Sequence, residues 1–314
     1  MSRVLVTGGG GFIGRQACAQ LVAGGYSVHL AGRLRPRQLP EGLSFHPVDL
    51  LADRSAAGLI ATVQPSHLLH LAWNATPGVF WSAPDNLAWV AASLALYRAF
   101  AQAGGKRAVF AGSCAEYDWS QPVLSDRSTP LEPATLYGAC KDALRRTLEK
   151  AAIQDGVSLA WGRIFWLYGP GEQPGRLVSD LIAGLLAGRE VPCTEGSQSR
   201  DFMHVADVGR ALVQLLSSEA TGAVNIASGR ATRVADLIAL TAELAGGSGL
   251  VRLGALPMGK NQPAILVGDA ERLANEVGFR PHFGLRDGLA DTISWHRQML
   301  ALNPRQPGPG RGKT

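Results

Sequence analysis

A glycine-rich turn near the start of the chain constrains the fold more than any other feature of the sequence. The apolar run 3–7 (RVLVT) leads into the glycine cluster 8–11, a helical pattern covers 12–23, and a second apolar run follows at 27–31. Strand-like runs recur downstream at 67–72, 107–111 and 158–164. Strands that alternate with helices in this way predict a parallel sheet covered by helices on both faces, a doubly wound α/β fold.

The glycines of this turn follow the pattern G-x-x-G-x-x-G between a predicted strand and a predicted helix. Such glycines permit a tight turn, let the backbone approach a pyrophosphate and allow close packing of helix on strand, while the helix N-terminus supplies N–H donors. The context predicts a dinucleotide-binding Rossmann domain. Its cofactor-binding candidates in the loop are Gly8, Gly11, Phe12, Ile13 and Gly14.

The end of the second predicted strand bears on the choice of cofactor. NAD-binding folds place an acidic residue there, on the ribose hydroxyls. This chain has Gly32 and Arg33 instead, so no carboxylate repels a 2′-phosphate and the Arg33 guanidinium is suited to pair with one. The sequence therefore favours NADP over NAD, with a solvated basic loop as the alternative interpretation of Arg33.

Tyr137 and Lys141 form a Y-x-x-x-K pattern at the start of a predicted helix, which places both side chains on one helical face. A phenol with an ordinary pKa near 10 is a poor acid or base at neutral pH, and an adjacent ammonium lowers that pKa. The pattern alone is weak. Ser113, a hydroxyl at the end of the preceding predicted strand, strengthens the prediction that the three residues form a catalytic group.

With these motifs, the chain resembles an extended short-chain dehydrogenase/reductase of the nucleotide-sugar epimerase/dehydratase kind, over about residues 3–295. The resemblance adds Asp49-Leu50, His70-Leu71-Ala72, Asn86 and Arg163 to the motifs above, and also Tyr168-Gly169-Pro170, the run Arg200-Asp201-Phe202-Met203-His204-Val205, Asp207, and Asp269 with 278–281.

The resemblance implies a role for each matching residue. Tyr137 would transfer a proton to or from a sugar oxygen, Ser113 would hydrogen-bond the same oxygen, and Lys141 would hold the nicotinamide ribose. Asp49, Leu50, Leu71 and Ala72 would contact the cofactor, and Arg200 the substrate diphosphate, with an Arg200–Asp201 salt bridge as the alternative. The further substrate-binding candidates are Trp73, Ser113, Cys114 and Trp166. By the same resemblance the protein would be a homodimer.

Three departures from the family pattern narrow the function. Sugar 4,6-dehydratases carry an Asp-Glu pair after the catalytic hydroxyl, and Cys114 and Ala115 stand there in this chain, so dehydration is not expected. Arg33 suggests NADPH, the usual donor for net reduction. Trp166 replaces an asparagine that contacts the substrate diphosphate. We expect NADPH-dependent reduction of a nucleotide-linked keto sugar, a 4-keto-6-deoxy sugar. A nucleotide-sugar epimerase and a non-catalytic cofactor-binding regulator are the alternatives.

Composition excludes several other classes. The formal charge of +5 is spread along the chain without a Lys/Arg-rich run, so no nucleic-acid partner is expected. No apolar run reaches membrane-spanning length and no signal peptide is evident, which predicts a cytoplasmic protein without a membrane partner. The cysteines lack any C-x-x-C spacing, so neither disulfides nor a metal site is expected; they are Cys18, Cys114, Cys140 and Cys193.

The domain prediction follows the change in composition along the chain. Residues 1–167 are expected to form the Rossmann domain, with 202–228 returning to it. Residues 168–201 and 229–302 would form a smaller substrate-binding lobe, and 303–314 a flexible tail.

Overall fold

The fold is built on a parallel sheet whose first strand precedes the glycine loop. A computed structural model describes residues 2–36, 41–259 and 262–302, so the predicted tail 303–314 lies outside the described residues. The strands are β1 (Arg3–Thr7), β2 (Ser27–Gly32), β3 (Leu43–Pro47), β4 (His67–His70), β5 (Arg107–Ser113), β6 (Val123–Leu124), β7 (Ser158–Ile164), β8 (Trp166–Tyr168), β9 (Val191–Pro192), β10 (Ser199–His204), β11 (Gly222–Ile226), β12 (Ala231–Arg233), β13 (Val251–Arg252) and β14 (Ile265–Gly268).

Helices follow most strands of the large sheet. They are α1 (Phe12–Ala23), α2 (Ser55–Val63), α3 (Asp85–Gln102), α4 (Leu136–Asp155), α5 (Leu177–Leu186), α6 (Val205–Ser217), α7 (Val234–Ala245), α8 (Glu271–Asn275) and α9 (Leu285–Leu302). The predicted helix at 12–23 has the bounds expected from its apolar pattern and its closing glycines. None of the helices in the described ranges combines the length and the apolar character that a bilayer crossing requires.

Within the described residues, seven strands form the large sheet in the order β11-β7-β5-β4-β1-β2-β3, and every neighbouring pair is parallel. Thr7 at the end of β1 pairs with Ala31 of β2 on one side and His70 of β4 on the other. The strand order reverses at β1, so the loops that leave β1 and β4 diverge there and open a crevice. The predicted doubly wound Rossmann fold is confirmed.

Apolar side chains of α1 and α6 cover one face of the sheet, and those of α2, α3 and α4 cover the other. Both layers contain strand residues that are completely buried, such as Val6 on the α1 side and Leu68 on the α3 side. Because both faces are buried, the strands consist of nearly continuous apolar runs, as the sequence indicated.

A smaller sheet lies beyond the end of β7. Its strands run in the order β12-β10-β14-β6, and β8 pairs with β10. The helices α5, α7 and α9 pack with the adjoining segment through an apolar cluster that includes Ile182, Leu237 and Leu289. This sheet carries Trp166 on β8 and Arg200 on β10. The boundaries between the two predicted lobes stay a prediction.

Candidate active site

The glycine loop folds tightly between β1 and α1. Gly8 has a φ of +72°, and a Cβ at this position would lie 2.7 Å from the Ala72 backbone nitrogen. A Cβ on Gly14 would lie 2.3 Å from the Gly8 carbonyl oxygen. Since only glycine fits both places, the loop brings the first amides of α1, at Phe12 and Ile13, up to the crevice.

A cavity of about 220 Å³ lies at the carboxyl ends of β1 and β2. Arg33 and Phe45 line it, and no carboxylate is among the lining residues that the structure describes; the others are Gly8, Gly10, Gly11, Leu30, Ala31, Gly32 and Leu34. The cavity has the position and the glycine wall that the adenosine half of a dinucleotide requires. Phe45 was missed from the sequence because nothing in β3 distinguishes it from an ordinary apolar strand residue.

The other cofactor candidates surround this crevice. The predicted strand at 67–72 ends at His70, so Leu71 and Ala72 belong to the loop that faces Gly8. The Leu71 amide donates to the Thr7 carbonyl at 3.1 Å, which ties this loop to β1. The Leu50 side chain is buried, and the Asp49 carboxylate accepts from the Leu51 amide at 3.0 Å.

Ser113 and Tyr137 meet because α4 begins close to the end of β5. The Thr135 hydroxyl caps α4 by accepting from the Gly138 amide at 3.1 Å. Gly138 lies so near the turn after β5 that a Cβ there would be 2.2 Å from the Ala115 carbonyl oxygen. The Ser113 side chain lies beside that of Tyr137 and acts to lower the Tyr137 pKa. The two hydroxyls predicted to act together are therefore neighbours.

Lys141 lies one helical turn beyond Tyr137 and is only 4% exposed. Its Nζ donates to the Ala111 carbonyl at 2.8 Å. The same Nζ lies 3.7 Å from the centre of the Trp73 ring and 5.9 Å from that of the Tyr137 ring. Burial lowers the pKa of Lys141 to about 7, and the Glu116 carboxylate opposes this shift.

The titration of Tyr137 differs from the sequence expectation. Burial raises the pKa of Tyr137, while the neighbouring Ser113 hydroxyl opposes the shift. Lys141 is not among the groups that lower this pKa, since its ammonium contacts the Trp73 face and the Ala111 carbonyl. Tyr137 is therefore a neutral proton donor at pH 7.

Glu116 is a part of the site that sequence reasoning missed. Its side chain is completely buried and accepts from the Ser113 amide at 2.8 Å, from Trp161 Nε1 at 2.9 Å and from Arg163 Nε at 2.7 Å. Ser113 in turn accepts from the Ala115 amide, so the two residues form a capping box. The Ser-x-x-Glu spacing of Ser113 and Glu116 was the available signal.

The loop between β4 and α3 covers Tyr137. The rings of Phe80 and Trp81 lie 4.9 and 5.9 Å from that of Tyr137, centre to centre, and the Tyr137 amide donates to the Trp81 carbonyl at 3.1 Å. Arg176, at the start of α5, donates to the Ala75 carbonyl at 3.2 Å and so connects this loop to the facing segment. Phe80 and Arg176 carried no recognisable sequence signal.

The candidates on the substrate side occupy the neighbouring sheet. The Arg200 guanidinium lies 5.3 Å from the centre of the Trp166 ring and donates to the Ser199 and Pro263 carbonyls. Asp201 instead accepts from the Ser228 and Gly229 amides, so the alternative Arg200–Asp201 salt bridge does not form.

Cys114 lies deep in an apolar cluster with Phe165 and Leu266. Burial raises the pKa of the Cys114 thiol, which is therefore a neutral packing group. This environment does not suit the thiol to a second acid–base step.

The fold and this site define a protein of the extended short-chain dehydrogenase/reductase type, with a glycine loop, a Ser/Tyr/Lys group and a facing sheet. The chain belongs to the NAD dependent epimerase/dehydratase family, whose model matches residues 4–227. That family consists of NAD-dependent enzymes of the oxidoreductase type that act on nucleotide sugars.

Similar proteins span nearly the whole chain. The UDP-glucose 4-epimerase of Bacillus subtilis is 24% identical over 93% of this chain and 96% of its own length. MoeE5, solved in complex with UDP-glucuronic acid and NAD, is 33% identical with a TM-score of 0.81 over 95% and 100% of the two chains. A UDP-glucose 4-epimerase of Thermotoga maritima, solved with UDP-glucose, is 25% identical with a TM-score of 0.86 over 95% and 99%.

Proposed function

We propose that the protein is a nucleotide-sugar epimerase that inverts a hydroxyl-bearing carbon, C4 of a hexose, through transient oxidation. The observation that carries the proposal is the Ser113 hydroxyl beside the Tyr137 phenol, near the glycine loop, with Lys141 one turn away. Such an epimerase needs only this group and a bound dinucleotide. Dehydratase chemistry is not proposed, because Cys114 and Ala115 stand where an acidic pair is needed and both are buried.

The glycine loop and the cavity beside Arg33 fit the pyrophosphate and the adenosine of NAD or NADP. When bound, the nicotinamide supplies the acceptor and donor of the hydride. The residues that would hold the cofactor are Gly8, Gly11, Phe12, Ile13, Gly14, Arg33, Asp49, Leu50, Leu71, Ala72, Tyr137 and Lys141.

Tyr137 exchanges the proton of the reacting sugar hydroxyl in both directions. Ser113 hydrogen-bonds the same oxygen and lies beside Tyr137. Lys141 would hold the nicotinamide ribose, and it is not assigned to lowering the Tyr137 pKa because its ammonium contacts the Trp73 face. Glu116 keeps Ser113 in place by accepting its backbone N–H.

Arg200 is the residue proposed to meet the substrate diphosphate. Its guanidinium has no carboxylate within salt-bridge distance in the described part of the chain, and burial lowers its pKa. An anionic ligand would offset that desolvation. The Trp166 ring beneath it, with Trp119 at 6.1 Å between ring centres, offers an apolar wall to the nucleotide or the sugar.

The test is product analysis with the purified protein and a panel of UDP- and dTDP-linked hexoses. An epimerase converts one sugar to its C4 epimer at constant mass and without net consumption of cofactor. If no sugar in the panel is interconverted with NAD or NADP present, the proposal is wrong.

NADPH-dependent reduction of a nucleotide-linked 4-keto-6-deoxy sugar is the second candidate. Arg33 favours it, because the cavity at the end of β2 carries a guanidinium where NAD-dependent folds carry an acid. Incubation with stoichiometric NADPH separates the two. Loss of reduced-nicotinamide absorbance together with a product heavier by two hydrogens establishes the reductase.

A further inference from the structure

Trp73 makes an unusual contact for a residue beside a cofactor crevice. It lies three residues after β4, and its indole face meets the Lys141 ammonium, with 3.7 Å between Nζ and the ring centre. This distance is well inside the range of a cation–π interaction. The face that contacts Lys141 is unavailable to a sugar ring, although Trp73 is one of the predicted substrate-binding candidates.

The indole is held in this orientation by a buried amide. Trp73 Nε1 donates to Asn86 Oδ1 at 2.8 Å, and Asn86 Nδ2 donates to the Phe80 and Ala83 carbonyls, each at 2.8 Å. Asn86 is completely buried, and the Trp89 ring lies 6.1 Å from the Trp73 ring, centre to centre. Asn86 and Trp89 both belong to α3, so this helix holds the indole that contacts Lys141.

Lys141 needs such a contact. It is nearly buried, and no carboxylate oxygen in the described ranges lies within 4 Å of its Nζ. The titratable groups around it are His70 on β4, Glu116 after β5 and Tyr137 on its own helix. Burial lowers the pKa of His70 to about 3 and raises that of Tyr137, so both are neutral near pH 7 and Glu116 is the remaining acid.

We propose that Trp73 is a positioning residue for Lys141, which its indole face keeps charged and directed toward the catalytic crevice. The inference rests on the proposed function for its effect on turnover, but the contact itself can be measured without substrate. An aromatic face stabilises the cation and not the neutral amine. Replacing the indole therefore favours deprotonation of Lys141.

The direct test is NMR of the full-length protein labelled with [¹³C,¹⁵N]lysine, titrated with NAD present and absent. Lys141→Arg identifies the Lys141 signal. In Trp73→Leu the Lys141 pKa should fall by about one unit relative to wild type, which is the equivalent of a cation–π contact. Trp73→Phe should give a smaller decrease, because it keeps a weaker aromatic face.

Trp81→Leu is the matched control. Like Trp73→Leu, it removes an indole from the loop between β4 and α3. The Trp81 ring also contacts Tyr137, at 5.9 Å between ring centres, but it makes no cation–π contact with Lys141. The control should leave the Lys141 titration unchanged. If Trp73→Leu titrates like wild type, the proposal is overturned; should that variant not fold, an unchanged titration in Trp73→Phe overturns it equally.

Activity provides the second readout. If turnover needs charged Lys141, the alkaline limb of the pH profile in Trp73→Leu moves to lower pH by the same amount as the Lys141 pKa. A shifted Lys141 titration in a protein that converts no nucleotide sugar rejects the proposed function and leaves the role of Trp73 intact. Turnover with an unshifted titration rejects the role of Trp73 alone.

Discussion

Tyr137 is the residue on which the proposed chemistry depends most directly. Removing its hydroxyl leaves the ring, and with it the contacts to Phe80 and Trp81. We expect Tyr137→Phe to lower kcat at least about a hundredfold, the usual contribution of a positioned acid–base group, with little change in melting temperature or cofactor affinity. Steady-state kinetics and dinucleotide fluorescence titration measure both.

Tyr26→Phe is the control for that substitution. The Tyr26 hydroxyl contacts Ser217 at 2.9 Å, away from the crevice, so this variant should turn over like wild type. Turnover by Tyr137→Phe at the wild-type rate would remove Tyr137 from the mechanism.

Arg33 tests the cofactor end of the site. Arg33→Glu places a carboxylate in the cavity, where it can pair with ribose hydroxyls and repel a 2′-phosphate. We expect the ratio of NADPH affinity to NADH affinity to fall at least tenfold, about 1.4 kcal/mol, by fluorescence titration. Arg35→Glu, an exposed charge reversal outside the cavity lining, should change the ratio much less. Equal ratios in both variants would contradict the prediction.

Individual site residues differ in how far the sequence reveals them. Ser113, Tyr137 and Lys141 follow fixed spacings on a strand end and a helix start, so local pattern and order along the chain identify them. The partner of Glu116 is Arg163, 47 residues away, and the pairing of β5 with β7 brings the two together. The Lys141 ammonium likewise contacts Trp73, which is distant in sequence and close in space.

At the scale of elements, the close approach of α4 to the turn after β5 positions the catalytic hydroxyls. A methyl group on Gly138 would meet the Ala115 carbonyl oxygen at 2.2 Å, so Gly138→Ala must move the helix start. We expect a loss of about 1–3 kcal/mol in the free energy of unfolding, together with a reduced kcat, because Tyr137 shifts with the helix. Denaturant melts and kinetics measure the two effects.

Gly58→Ala on α2 provides the comparison for Gly138→Ala. A Cβ at Gly58 meets no atom of the described residues within 4 Å, so this variant should gain about 0.5–1 kcal/mol from the higher helix propensity of alanine and keep its activity. A Gly138→Ala variant as stable and active as wild type would show that the close approach is not needed.

The element predicted best is α1, whose apolar pattern ends at glycine. The loop between β4 and α3 could not be predicted in this way. Its conformation depends on the Asn86 hydrogen bonds to Phe80 and Ala83 and on Arg176 across the crevice, and none of these follows from local propensity. The predicted strand 67–72 ends earlier, at His70, because Leu71 and Ala72 turn toward the glycine loop.

At the scale of the whole molecule, folding holds most histidines neutral. Burial is the first cause of a lowered pKa for six of the seven histidines in the chain, which are His29, His46, His67, His70, His204 and His296. His70 is the extreme case, since it lies between the Thr7 and Ser93 hydroxyls inside the sheet layer. Glu172 has the opposite effect on the pH dependence of stability, because burial raises its pKa to about 7 and the folded protein takes up its proton first.

The sign of the resulting pH dependence follows from proton uptake. Below pH 6.5 the unfolded chain protonates His70, whereas the folded protein does so only near pH 3. The contribution of His70 to stability is therefore fully present above pH 6.5 and is lost as the pH falls toward 3. From pH 7.5 to 5, His70 alone contributes a loss of about 2 kcal/mol, and the proton taken up by Glu172 opposes this loss. His70→Gln takes up no proton at this position, so between these pH values it should lose less stability than wild type, as measured by calorimetry. Equal losses in the two proteins would contradict the argument.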